Sequence, residues 1–222
     1  MKNIIFDLDS TLSKIEGIDE LAVLKNLGSE IGNLTNLAMN GELSLEEAFI
    51  QRLEIIQPSR FDLELINQMY LDNITDYAEE VIDKLRLNNN IFIVTGGYKT
   101  AIQKIISKLQ IKTYFSNKIN FNVDGSFKEL DKNSPLWKTN GKAVVVASIK
   151  EQYPFPTVMI GDGMSDLLAN ADEFICFSGI VQRSKVLEQV KNSITDLREL
   201  LNSKYSLLPV STRNYHTTKS TP

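Results

Sequence analysis

Three short segments of this chain are apolar almost from end to end, and each stops abruptly at a polar motif. "NIIFD" (3–7) runs into "DLDST", "IFIVT" (91–95) into "GGY", and "TVMIG" (157–161) into "DGMSD". A half-buried strand alternates apolar and polar residues, whereas a strand apolar throughout is covered on both faces. "EFICF" (173–177) has the same character more weakly. Between these runs, 77–89 and 99–109 carry apolar residues at helix spacing, and 141–152 is read as a helix despite its β-branched centre. Buried strands alternating with helices predict an α/β fold, a doubly wound, mostly parallel sheet.

The segment 14–75 breaks that rhythm. It is rich in Leu, Glu and Asn at helix spacing and holds no buried-strand run. Ser44 followed by Glu47 is a capping signal. We therefore expect a helical cap inserted after the first strand. The core is then 1–13 plus 76–207, the cap 14–75, and the polar stretch 208–222 a loosely held tail. Residues 118–130 alternate around Asp124 and Gly125, which predicts a small antiparallel hairpin.

Composition narrows the chemistry. The 222 residues carry 24 Lys and Arg against 28 Asp and Glu, a formal charge of −4. There is no overall basic field to attract nucleic acid or an anionic membrane. Nothing approaches the roughly 20 apolar residues of a membrane span, so a cytoplasmic, soluble protein is expected. The single cysteine, Cys176, excludes an internal disulfide framework and a cysteine-based zinc site. Its apolar flanks suit a core residue. The only histidine, His216, lies in the tail. Catalysis in the core must run on carboxylates, Lys, Ser or Thr hydroxyls and backbone groups, with or without a metal.

In a doubly wound sheet, ligands bind beyond the carboxyl ends of the strands. If the strands are parallel, Asp7, Asp9, Thr95, Gly96, Gly97, Asp162 and Asp166 gather at one edge. Four carboxylates crowded together repel and raise one another's pKa values. A hard divalent cation with oxygen ligands relieves this, and Mg²⁺ fits. An acidic cluster with Mg²⁺ suits a phosphorylated substrate. One carboxylate can attack phosphorus. Asp9, two residues on in an extended segment and facing the same way, can move the leaving group's proton. Ser10, Thr11 and the Thr95–Gly97 segment offer hydroxyls and backbone N–H groups to phosphate oxygens. A lysine is wanted to balance phosphate charge. Lys142, at an apparent helix start, is one option among several.

"DLDST", "TGGY", "GK" and "GDGMSD", in that order, resemble the haloacid-dehalogenase-like phosphatase superfamily. "DSTLSKIEGIDELA", "AMNGELSLEEAFIQRLEIIQPSR" and "FSGIVQRSKVLEQV" narrow the resemblance to the phosphoserine phosphatase family, over roughly residues 3–201. It implies a Rossmann-like core and a Mg²⁺-dependent phosphoric monoester hydrolase acting on O-phosphoserine in serine biosynthesis, as a monomer or homodimer. Asp7 is then the nucleophile and Asp9 the acid/base. Mg²⁺ is held by Asp7, the Asp9 carbonyl and Asp162. Thr95, Gly96 and Lys142 bind phosphate, Gly97 belongs to the same cradle, and Asp166 supports the metal shell or the lysine. Ser165 falls near the substrate, Glu16 meets its ammonium, Arg52 its carboxylate, and Met39 lines the pocket.

Some positions depart from the family pattern. Thr95 replaces a usual serine, Tyr98 a frequent phenylalanine, and "NGKA" lacks a glycine that often follows the lysine. No catalytic group is lost, but substrate preference stays open. The alternatives are a phosphatase for another small phosphomonoester, a phosphotransferase to a hydroxy amino acid, and a silent relative that only binds. Glu16 and Arg52 favour an amino-acid substrate.

Overall fold

The computed structural model describes residues 1–40, 42–205 and 207–208, with the side chains of 35, 36 and 38–40 outside that description. The expected tail therefore lies outside the described residues from 209 on, as does His216. Leu208 packs on the core.

In chain order the elements are β1 (Asn3–Phe6), α1 (Gly17–Leu24), α2 (Gly28–Asn40), α3 (Leu45–Ile56), α4 (Arg60–Asp72), α5 (Ala78–Leu85), β2 (Asn90–Tyr98), α6 (Gln103–Lys108), β3 (Thr113–Asn117), β4 (Ile119–Phe121), β5 (Phe127–Leu130), α7 (Gly141–Gln152), β6 (Thr157–Gly161), α8 (Met164–Leu167), β7 (Glu173–Phe177), α9 (Ser184–Leu187) and β8 (Ser193–Ile194). Six strands form one sheet in the order β3-β2-β1-β6-β7-β8. Every pairing in it is parallel. The chain builds outward from β1 through β2 to β3, then returns to β6 on the other side of β1. The strand order thus reverses between β1 and β6, whose carboxyl ends flank the crevice where ligands bind in such sheets.

The fully apolar runs behave as expected: Ile4, Ile5, Phe6, Met159 and Ile160 are completely buried. Asn3 is buried too, and its polar atoms are satisfied. Its Nδ2 donates to the Tyr153 carbonyl at 2.8 Å, and its Oδ1 accepts from Asn90 Nδ2 at 2.9 Å. Two sequence expectations shift here. β1 stops at Phe6, and Leu8–Leu12 form a wide turn closed by Ser13 N–H on the Leu8 carbonyl at 2.9 Å. Within it Asp9 keeps extended dihedrals (φ −59°, ψ 134°), but Ser10 takes a left-handed φ of 49°, so the strand does not continue past it. β2 runs on through Gly96 and Gly97 to Tyr98, with a register shift against β3 between Val94 and Tyr98. The Thr95–Gly97 segment is thus an irregular stretch within a strand instead of a loop after it.

Between β1 and α5 lie only helices, α1 to α4. A narrow neck joins them to the sheet: Ser13 bridges Ile74, Lys14 N–H donates to the Asn73 carbonyl at 2.8 Å, and Thr75 N–H to the Leu12 carbonyl at 2.9 Å. Two capping boxes start helices here. Ser44 Oγ accepts from Glu47 N–H at 3.1 Å, and Glu47 Oε2 from Ser44 N–H at 3.0 Å. Ser59 and Asp62 repeat the pattern at α4, and Asp62 also pairs with Lys25 at 2.6 Å, tying α4 to the end of α1. The hairpin β4–β5 is antiparallel, with its turn at Gly125 (φ 85°). The Gly125 carbonyl accepts from Arg60 N–H at 2.9 Å, fixing the hairpin to the start of α4. Among the described residues no helix is long and apolar enough to cross a membrane. Cys176 is buried and free, and burial pushes its thiol up to about 11, as befits a core residue.

One apolar cluster on the sheet holds Ile5, Phe92, Val94, Val145, Val146, Ile149 and Met159, under α7. Phe92 also meets Tyr153 edge-on, ring centroids 5.2 Å apart. Phe92→Ala should destabilise the fold by about 3–5 kcal/mol, read as a shift of the urea midpoint at unchanged m-value. A loss below about 1 kcal/mol would show that this face is not packed as described.

Candidate active site

Asp7 directly follows β1, and its N–H donates to the Ile160 carbonyl of β6 at 2.8 Å. Asp162 directly follows β6. The switch point therefore sets these two carboxylates side by side. Asp166, on α8, closes the group. The carboxylate oxygens of Asp7, Asp162 and Asp166 all lie within 4.8 Å of one another, and all three residues are buried. Gly161 makes this possible. A Cβ there would stand 2.3 Å from Asp166 Cγ, so only glycine lets Asp166 fold over the end of β6.

Lys142, at the start of α7, lies between two of these groups. Its Nζ is 2.8 Å from Asp7 Oδ1 and donates to Asp166 Oδ1 at 2.6 Å. Burial alone would lower the lysine pKa, but Asp166 and Asp7 hold it above the usual value, so it stays charged. Gly163 N–H holds the other oxygen of Asp166 at 3.0 Å. Asp166 thus orients the lysine. Burial, then the Asp7 charge, pushes Asp162 up to about 6. The same causes raise Asp166.

Sequence reading gave Arg183 no role. It follows β7 just before α9 and donates from Nε to Asp162 Oδ2 at 2.6 Å and from Nη2 to Glu16 Oε1 at 2.9 Å. The one clue was its place in "FSGIVQRSK", which follows the weaker apolar run 173–177. Ser10 Oγ also donates to Glu16 Oε1, at 2.7 Å, so Oε2 accepts no hydrogen bond among the described residues. Burial, then Asp9, pushes the Glu16 carboxyl up to about 8.

Asp9 is half-buried at the cavity wall. Burial, then the Asp7 charge, raises its pKa, while hydrogen bonds from Tyr70 and Gly17 oppose the rise. Thr95, fully buried, accepts Gly97 N–H on its hydroxyl at 2.9 Å and donates to Asp9 Oδ2 at 3.3 Å. The hydroxyl kept at this position therefore serves Asp9.

These groups open onto one cavity of about 730 Å³, which Arg52, Gly96, Gly97 and Ser165 also line. Arg52 on α3 donates Nε to its own helix, at the Ala48 carbonyl, 3.2 Å away. It pairs with no carboxylate among the described residues. The Met39 side chain lies outside the described part of the structure.

The donor set fits a hard cation. Asp7, Asp162 and Asp166 offer only oxygen, and Asp7 Oδ1 is buried without a well-directed hydrogen bond although the lysine ammonium is near. Among the described residues, two cations pair within the group of five carboxyls of Asp7, Asp9, Glu16, Asp162 and Asp166: the buried Lys142 and the half-buried Arg183. Such an excess suits a divalent ion.

Known proteins match this arrangement. The family model described as haloacid dehalogenase-like hydrolase matches residues 1–172. A phosphoserine phosphatase of Rattus norvegicus is 35% identical over 204 residues, covering 89% of this chain and 91% of its own. A crystal structure of a phosphoserine phosphohydrolase-like protein from Francisella tularensis superposes with a TM-score of 0.81 at 31% identity, covering 90% of this chain and 98% of that one. A phospho-aspartyl intermediate analogue of phosphoserine phosphatase superposes with a TM-score of 0.78 at 29% identity, covering 92% and 98%. The chain belongs to the haloacid dehalogenase-like hydrolases, within the family of phosphoserine phosphatases.

Proposed function

We propose that this chain is a Mg²⁺-dependent phosphatase of O-phosphoserine, working in the cytoplasm in serine biosynthesis, with the helical segment 14–75 as a cap over the site. The observation that carries the reading is the content of this cavity. It holds a carboxylate beside a charged lysine at the sheet edge, and a guanidinium without a carboxylate partner on α3. The first pair suits a phosphoryl group and the second an α-carboxylate, because Arg binds carboxylates bidentately. The Oε2 atom of Glu16 suits the α-ammonium.

An Asp7 carboxylate oxygen attacks phosphorus, and the bond from phosphorus to the serine oxygen breaks. The electron pair goes to that oxygen, which takes a proton from Asp9. Water then attacks the phosphorus of the aspartyl-phosphate and gives its proton to Asp9. The bond from Asp7 to phosphorus breaks, and phosphate leaves. Lys142, held by Asp166, neutralises phosphate oxygens in both steps. Gly96, Gly97 and Ser165 line the same cavity. Asp7, Asp162 and the Asp9 carbonyl would hold Mg²⁺, which when bound supplies charge neutralisation at the phosphoryl oxygens.

The chain should release phosphate from phosphoserine in preference to phosphothreonine and sugar phosphates, and chelation should abolish the release. Equal rates across the panel would overturn the substrate while leaving the reaction class. Asp7→Asn should lower kcat by about 10⁴-fold or more, and retained turnover would contradict the covalent route. Arg52→Ala should raise KM for phosphoserine about tenfold, the loss of one charge-assisted contact, and leave phosphoethanolamine nearly unchanged. Equal damage to both would remove Arg52 from carboxylate binding.

A further inference from the structure

Asp9 is held by the helical segment as much as by the sheet. Its Oδ1 accepts two hydrogen bonds, from Gly17 N–H at 2.8 Å and from the Tyr70 hydroxyl at 2.5 Å. Among the described residues, its Oδ2 is met only by the Thr95 hydroxyl, at 3.3 Å. Gly17 opens α1 and Tyr70 lies in the last turn of α4, so both donors come from the segment inserted after β1. Tyr70 is 1% exposed. Its phenol fits because residue 17 is glycine: a Cβ there would stand 2.2 Å from Tyr70 Oη.

We propose that Tyr70 is a positioning residue for proton transfer, fixing Asp9 so that Oδ2 carries the proton to the leaving oxygen. This rests on the reading of Asp9 as acid/base. A carboxyl oxygen that already accepts two donors is a poor place for the acid proton, so the proton goes to Oδ2. That oxygen faces Thr95 and stands 3.7 Å from where a Cβ on Gly97, a residue of the cavity wall, would lie. Without the phenol, Oδ1 keeps one of its two donors, the carboxyl is less restrained about its last torsion, and the aligned fraction falls. In the transfer, the bond from phosphorus to the leaving oxygen breaks, the electron pair stays on that oxygen, and the proton on Asp9 Oδ2 moves to it. Tyr70 keeps its own proton throughout. Because the phenol arrives on α4, seating the helical segment and aligning the acid are one event.

The signature is dependence on the leaving group. An alkoxide needs the proton, whereas a nitrophenolate leaves without it. The test measures kcat/KM for phosphoserine, other alkyl phosphates and a series of aryl phosphates, in wild type and Tyr70→Phe. The variant should lose about tenfold on alkyl phosphates and less than about twofold on p-nitrophenyl phosphate, steepening the slope against leaving-group pKa. Gly17→Ala, whose methyl displaces the phenol, should steepen it likewise, and keeps the test open should Tyr70→Phe fold poorly. An unchanged slope in both variants, or an equal loss on every substrate, overturns the positioning role. A wild type that prefers another alkyl phosphate to phosphoserine defeats the substrate reading but leaves this comparison intact. A wild type inactive on all of them defeats both.

Discussion

The Lys142 ammonium, wedged between Asp7 and Asp166, is the contact on which the site depends. Burying a lysine is unfavourable unless its charge is matched, and burying two carboxylates together is worse. Each group is tolerable only because the others are present. The arrangement in turn needs β1 and β6 to be neighbours, since Asp7 and Asp162 follow those strands directly. It also needs glycine at 161, where any side chain would collide with Asp166. The parallel sheet and its strand order are thus the condition for the chemistry.

The two aspartates of the opening motif differ by environment. Asp7 faces the lysine and the other acids at the sheet edge. Asp9, at the wall of the same cavity, meets a phenol, a backbone N–H and a threonine hydroxyl. The left-handed Ser10 makes the turn that separates them. A carboxylate beside a cation is suited to attack, and a carboxyl enclosed among donors is suited to hold and return a proton. The same turn sends Ser10 to Glu16, linking the two aspartates to the end of the cavity proposed for the amino acid.

Much of this was legible in the sequence because the central strands are apolar on both faces. Residues 157–161 and 173–177 are strands with the expected limits. β3, with Thr, Tyr, Ser and Asn in its five residues, was not read, for an edge strand half in contact with solvent carries no continuous apolar signal. The turn at Ser10 was not read, because a positive φ at a serine leaves no mark in the residue pattern. Arg183 and Tyr70 were missed for a different reason. Each acts through residues far away in sequence, 167 positions to Glu16 for one and 61 to Asp9 for the other. Tyr70 on a helix face reads as an ordinary core aromatic, and only the fold shows its hydroxyl reaching Asp9.

The central claim is that Asp7 becomes covalently phosphorylated. The most direct measurement is acid quench of the enzyme during turnover of phosphoserine bearing labelled phosphate, followed by peptide mapping. The account predicts label on the peptide containing Asp7, formed before phosphate is released and absent in Asp7→Asn. Full turnover with no label on the protein, or label on another residue, would contradict it.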